Sequence, residues 1–228
     1  MATLYNLFLF GHIVAGTLAL LSGTVSLMRR KGDKKHRLIG NIFLYSMLVV
    51  GASAFFMAIV KPNSFLFMVG IFSTYLVGTG TRILYLKQIP QGQKPLWLDW
   101  LLSLAMLVFG LAFIFSGLRN IINTNYFGIA YVVFGSIGLA LVAQDFALYF
   151  GKLKLKNYWL YMHITRMVAG NIAAFTAFLV VNNTILPALV AWLVPTVIGS
   201  AVIAYYQTKY KPKLNKLPLP TISPVALA

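Results

Sequence analysis

The stretch LYNLFLFGHIVAGTLALLSGTVSL (Leu4–Leu27), followed at once by MRRKGDKKHR (Met28–Arg37), decides the fold. An uncharged run of this length, at about 1.5 Å per helical residue, is enough to cross the roughly 30 Å hydrocarbon core of a bilayer. The next segment packs in six Lys and Arg: Arg29, Arg30, Lys31, Lys34, Lys35 and Arg37. A signal peptide would carry its positive charge ahead of the apolar run; here the charge follows, so the segment reads as an uncleaved anchor.

Outward from this anchor the pattern repeats. Leu38–Val60, Phe65–Leu86, Leu96–Gly117, Tyr126–Phe150, Tyr161–Val181 and Ile185–Tyr206 are all long and apolar enough to span. In lipid each must be a helix, because no water satisfies an exposed backbone there. The connections are about ten residues or shorter, which leaves no room for a soluble catalytic domain. The expected fold is therefore all-α: one bundle of seven transmembrane helices over residues 1–208, with a short basic, Pro-containing tail over 209–228.

Composition agrees. The chain is 60% hydrophobic and 10% charged, against about 25% charged in an average soluble domain. Its three acids, Asp33, Asp99 and Asp145, face nineteen Lys and Arg for a net charge of +16. So basic a balance can mark nucleic-acid binding, but these bases fall between apolar runs rather than along one face, so no nucleic acid is expected. The absence of Cys fits a chain that needs no disulfide.

Seventeen of the nineteen bases fall on one side of the seven-span scheme, leaving Lys61 and Arg119 on the other. The positive-inside rule makes the loaded side cytoplasmic, with the N-terminus outside, the C-terminus inside, and the inner membrane as location. Tyr85, Trp97, Trp100, Tyr149, Tyr158, Trp159, Tyr161, Tyr205 and Tyr206 fall at the same side and read as interfacial anchors. The basic tail (Lys209, Lys211, Lys213, Lys216) is expected to touch anionic lipid, at about 1 kcal/mol per base. Helix packing is expected along rows of small residues: Gly11, Ala15, Ala19 and Gly23 in the first span, Gly128, Gly135 and Gly138 in the fifth, and Ala169, Ala173 and Ala177 in the sixth.

Ionisable residues at membrane depth invite a functional reading. His36, Arg82, Asp99, Asp145, His163, Arg166 and Asn171 lie on five helices toward the basic side, and together would form a ligand-binding pocket open to the cytoplasm. Asp145 lies about 7 Å inside its helix end. The plainer alternative pairs Asp145 with Arg166 and Asp99 with Arg82 as ties between helix ends. His36 and His163 stand at matching depth and could ligate a haem b iron, or join Asp145 or Asp99 around zinc, although no HxxxH or HExxH spacing supports a metal. His12, about 12 Å from the outer end of its helix, is either a core histidine bonded to a neighbouring hydroxyl or carbonyl, or one step of a proton path with Asp145 at the inner side. No phosphate-cradling loop and no nucleophile elbow occurs.

Gly11-His12, Gly16, Gly23, Lys31-Gly32, His36-Arg37 and Gly40 together resemble a bacterial membrane-protein family catalogued as domain of unknown function 2306. The run Met162-His163-Ile164-Thr165-Arg166-Met167, continuing through Ile172–Phe178, resembles the second signature of the same family. The resemblance implies polytopic membrane residence and carries no activity. Three functions fit these residues: binding or passage of a small ligand, proton or metal ion; a b-type haem redox protein; or a non-catalytic accessory subunit whose small-residue stripe meets a protein partner or a second copy. An enzyme is the least supported.

Overall fold

The computed structural model describes residues 2–153 and 157–216. Lys154, Lys156 and the stretch 217–228 lie outside the described residues, as do the side chains of Lys211, Lys213 and Lys216. Among the described residues, seven helices are long and apolar enough to cross a membrane. They are α1 (Ala2–Met28), α2 (Lys34–Val60), α3 (Ser64–Arg82), α4 (Trp97–Ile122), α5 (Gly128–Tyr149), α6 (Tyr158–Val181) and α7 (Ala188–Lys216). Two 3₁₀ turns, Ile83–Tyr85 and Ile89–Gln91, shape the α3–α4 connection.

Local chemistry sets several boundaries. Asp33 caps α2 by accepting the His36 backbone N–H, and Asn63 accepts that of Leu66 to start α3. At the head of α4 the Asp99 carboxylate reaches back to the Leu96 N–H at 2.8 Å. Gly32, Gly92 and Gly151 adopt positive φ in the connections, the conformation glycine allows at least cost. The last helix departs from expectation. It continues to Lys216 rather than ending near Tyr206, so the first part of the expected tail is helical.

Short connections make antiparallel neighbours of α1–α2, α4–α5 and α6–α7. α3 is the axis of the bundle, packing on α2, α4 and α6. More than half of its apolar window, 56%, is buried, against 11% for α1. Phe72 of α3 meets Phe134 of α5 edge-on, and Phe134 meets Trp192 of α7 in the same way. The α4–α5 seam is the tightest. A methyl on Gly128 would overlap the Gly117 carbonyl oxygen, and one on Gly135 would lie 2.9 Å from the Gly110 carbonyl oxygen, so the backbones touch where small residues permit it.

The small-residue stripe of α1 turns inward. Ala15, Ala19 and Gly23 are buried, and Gly23 faces Asn171 of α6 and Phe43 of α2. Only Gly11 has open space beside it. The surface that would have met a partner protein is thus largely spent within the chain. The aromatic belt also divides. Tyr85, Trp97 and Tyr205 are exposed, but Tyr158 is 1% exposed and donates its hydroxyl to the Leu86 carbonyl. Trp100 packs on Tyr149, Phe146 and Phe150. Both rings serve the interior because the α3–α4 connection and the end of α5 bring partners to them.

Candidate functional site

Two fully buried charged groups meet at one node. Arg166 of α6 and Asp145 of α5 form an ion pair of 2.6 Å, each side chain 1% exposed. Asp145 Oδ2 also accepts the Tyr75 hydroxyl of α3 at 2.6 Å and the Ser103 hydroxyl of α4 at 2.9 Å. Four helices therefore contribute to one carboxylate. α6 packs on α1, α3 and α7, and α5 mainly on α4; the long Arg166 side chain is what ties α6 to α5 at this depth. Its Nη2 also donates to the Leu141 carbonyl at 3.3 Å, and its guanidinium lies 5.6 Å from the centre of the Tyr75 ring. Its Nε is buried without a hydrogen-bond partner.

A hydroxyl leads from the node toward the basic end. Tyr149 Oη lies 3.3 Å from Ser103 Oγ and 3.4 Å from the Asp99 backbone carbonyl. One turn nearer the rim, Arg82 Nε and Nη2 grip the two Asp99 oxygens at 2.7 and 2.9 Å. This pair is bidentate and partly open, with Arg82 22% and Asp99 1% exposed.

The expected histidine cluster does not join this node. His163 Nδ1 lies 2.7 Å from the Gly80 carbonyl oxygen. A carbonyl can only accept, so Nδ1 donates, and the ring caps the C-terminal turn of α3. His36 Nδ1 meets Ser26 Oγ at 3.1 Å across the α1–α2 turn. Neither ring bonds to Asp145 or Asp99, and among the described residues no three His, Cys, Asp or Glu gather to hold a metal ion. His12 Nδ1 meets Ser53 Oγ of α2 at 2.9 Å, on a different pair of helices from Asp145. Asn171 is buried against Gly23, and its Oδ1 has no partner; it faces α1 while Arg166 reaches α5.

Of the seven residues expected in one pocket, Arg82, Asp99, Asp145 and Arg166 share a connected site. His36, His163 and Asn171 do not. Sequence reasoning missed Tyr75, Ser103 and Tyr149. A phenol in the middle of an apolar span must find an acceptor, so Tyr75 carried a legible signal. Ser103 carried none beyond being polar.

Outside the spans, two groups are perturbed. The His36 backbone N–H holds the Asp33 carboxyl below its ordinary range. Burial, with the positive Lys209 nearby, lowers Lys31 to about 8, although its ammonium donates to the Ser26 and Leu27 carbonyls at 2.6 and 2.7 Å.

A bundle of seven apolar helices whose interior charges are paired across helices is a multi-pass membrane protein. Residues 9–92 match the family model described as a predicted membrane protein (DUF2306). That span covers most of α1, all of α2 and α3, and most of the following connection. It contains His12, His36, Tyr75 and Arg82, and stops short of the Met162–Phe178 run. No curated protein and no solved structure gives a match.

Proposed function

We propose that the protein is a multi-pass protein of the inner membrane, N-terminus outside, whose Asp145–Arg166 node binds and passes a proton from the cytoplasmic side. The observation that carries this reading is the burial of that pair at membrane depth beneath a hydroxyl approach. A buried ion pair is a poor source of stability, since apolar replacement is often neutral or better. Intramembrane ionisable groups are by default functional. Ser103 and Tyr149 supply hydroxyls between Asp145 and the rim at 2.9–3.4 Å. A proton reaching Asp145 replaces the Arg166 contact, and Arg166 keeps its bond to the Leu141 carbonyl. Its unpartnered Nε favours a second reading, in which a small ligand with an acceptor oxygen binds beside the pair.

The test is proton flux into proteoliposomes under an imposed potential, followed with an internal pH-sensitive dye. The full chain should acidify vesicles faster than empty controls. Asp145→Asn should abolish the difference and Tyr149→Phe should slow it. Flux equal to empty vesicles, or unchanged in Asp145→Asn, would sink the proton reading. Saturable binding of a carboxylate probe that is lost in Arg166→Gln would then favour the second.

A further inference from the structure

The geometry points to a phospholipid-phosphate site at the α3–α4 connection, with Lys87 as its cation and the headgroup of an anionic lipid as its ligand. A cavity of about 290 Å³, lined by Leu84, Tyr85, Lys87, Gln88 and Gln93, opens at the basic end of the bundle. Ligand pockets run from about 300 to 1,000 Å³, so this volume suits a headgroup rather than a whole lipid.

The lining is short of anions. All three acids of the chain already face arginines: Asp33 with Arg29, Asp99 with Arg82, and Asp145 with Arg166. Lys87 Nζ is held 4.4 Å from the centre of the Trp159 ring, which fixes the ammonium in place without neutralising it. The Tyr85 and Leu86 carbonyls of the connection are engaged as well. Gln93 donates to the Tyr85 carbonyl at 2.7 Å, and Tyr158 donates to that of Leu86. Gln93 Oε1 accepts the Gln88 N–H at 3.0 Å, which folds the loop around the cavity. Lys87 is the one charged group among the residues that line the cavity.

The surroundings favour a lipid as the source of that oxygen. Tyr85 is 66% and Trp97 75% exposed, and such rings settle at headgroup level. A phosphate seated by Lys87 would let its acyl chains run down the apolar flank of α4, where Leu101, Leu104 and Val108 are exposed. Lys94, in the same connection, is exposed and lines no part of the cavity. The site is independent of the Asp145–Arg166 node and does not rest on proton passage.

Native mass spectrometry of the full chain in a mild detergent tests the assignment, with dioleoylphosphatidylglycerol titrated against dioleoylphosphatidylcholine and inorganic phosphate. Phosphatidylglycerol should bind in preference to phosphatidylcholine. Lys87→Gln should weaken that binding about fivefold, the effect of one interfacial base. Lys87→Arg and Lys94→Gln should both retain it, which separates a site from diffuse attraction and from misfolding. Unchanged affinity in Lys87→Gln, or equal losses in Lys87→Gln and Lys94→Gln, overturns the site. Displacement of the lipid by equimolar inorganic phosphate overturns the lipid assignment in favour of a soluble anion.

Discussion

Asp145 and Asp99 both pair with arginine, yet they do so in different solvents. Asp145 meets Arg166 end-on in a dry four-helix node with both partners 1% exposed, while Asp99 takes Arg82 in a two-pronged grip with Arg82 at 22%. The rim pair has good geometry and an arginine that keeps access to solvent. The interior pair has poorer pairing geometry, relies on Tyr75 and Ser103 to complete the carboxylate's shell, and has no such refuge. In the rim pair the arginine keeps access to solvent, whereas in the node neither partner does, so the node cannot be halved without a large cost. That asymmetry is why the node, rather than the better-formed salt bridge, is the candidate site.

The sharpest way to break the comparison is to remove one member of the interior pair. Arg166→Met leaves a buried carboxylate uncompensated and should cost about 3–5 kcal/mol, whereas Arg166→Met with Asp145→Leu should recover most of it. Reversible unfolding in mixed micelles checks both; a double variant no better than the single would show that the pair itself supports the fold. Next in size is the α4–α5 backbone contact at the opposite end of α5 from Asp145. Gly128→Ala forces α4 and α5 apart and should cost about 1–3 kcal/mol, while Gly11→Ala, with open space around it, should stay within about 0.5 kcal/mol. The same micelle assay would show whether the α5 row and the α1 stripe differ as the contacts require.

At the rim, Arg82→Lys gives up the bidentate grip but keeps the charge, and should cost only about 1 kcal/mol because one of the two hydrogen bonds to Asp99 is lost and the charged contact remains. A loss as large as that of Arg166→Met would erase the distinction between the two regions. The smallest expected effect lies at the end of α1. Lys31 titrates near 8 in the folded protein against an ordinary value of 10.5, so between those values the unfolded chain binds more protons. Stability therefore rises with pH from about 8 to 10.5 and the penalty is fully present below 8. Unfolding midpoints measured across that window should show a rise that disappears in Lys31→Met.

Much of this was legible in advance. Seven apolar runs separated by short basic connections specify seven helices, because hydrocarbon tolerates no other open backbone. The two ion pairs were legible as well. With only three acids in the chain, the two that lie in spans had few arginines at matching depth, and Arg82 and Arg166 were the ones available. The histidines misled because depth alone was read as proximity. His36 and His163 do lie at one end of the bundle, but each ring is taken by the nearest unsatisfied oxygen, Ser26 Oγ and the Gly80 carbonyl. Placing them required knowing which helix faces which.

The amino-acid sequence by itself determined the membrane class, the number of helices, the crowding of charge at one end and the identity of the charged partners. These depend on composition and on distance along the chain, which helical geometry converts directly into depth. The tertiary structure alone decided that α3 is the axis, that the α1 stripe turns inward, and that Tyr75 and Ser103 complete the shell of Asp145. Those outcomes depend on the rotation of each helix about its own axis. In lipid that rotation is set by close packing of small residues and by the search of each buried polar group for a partner. Neither is a property of any one segment.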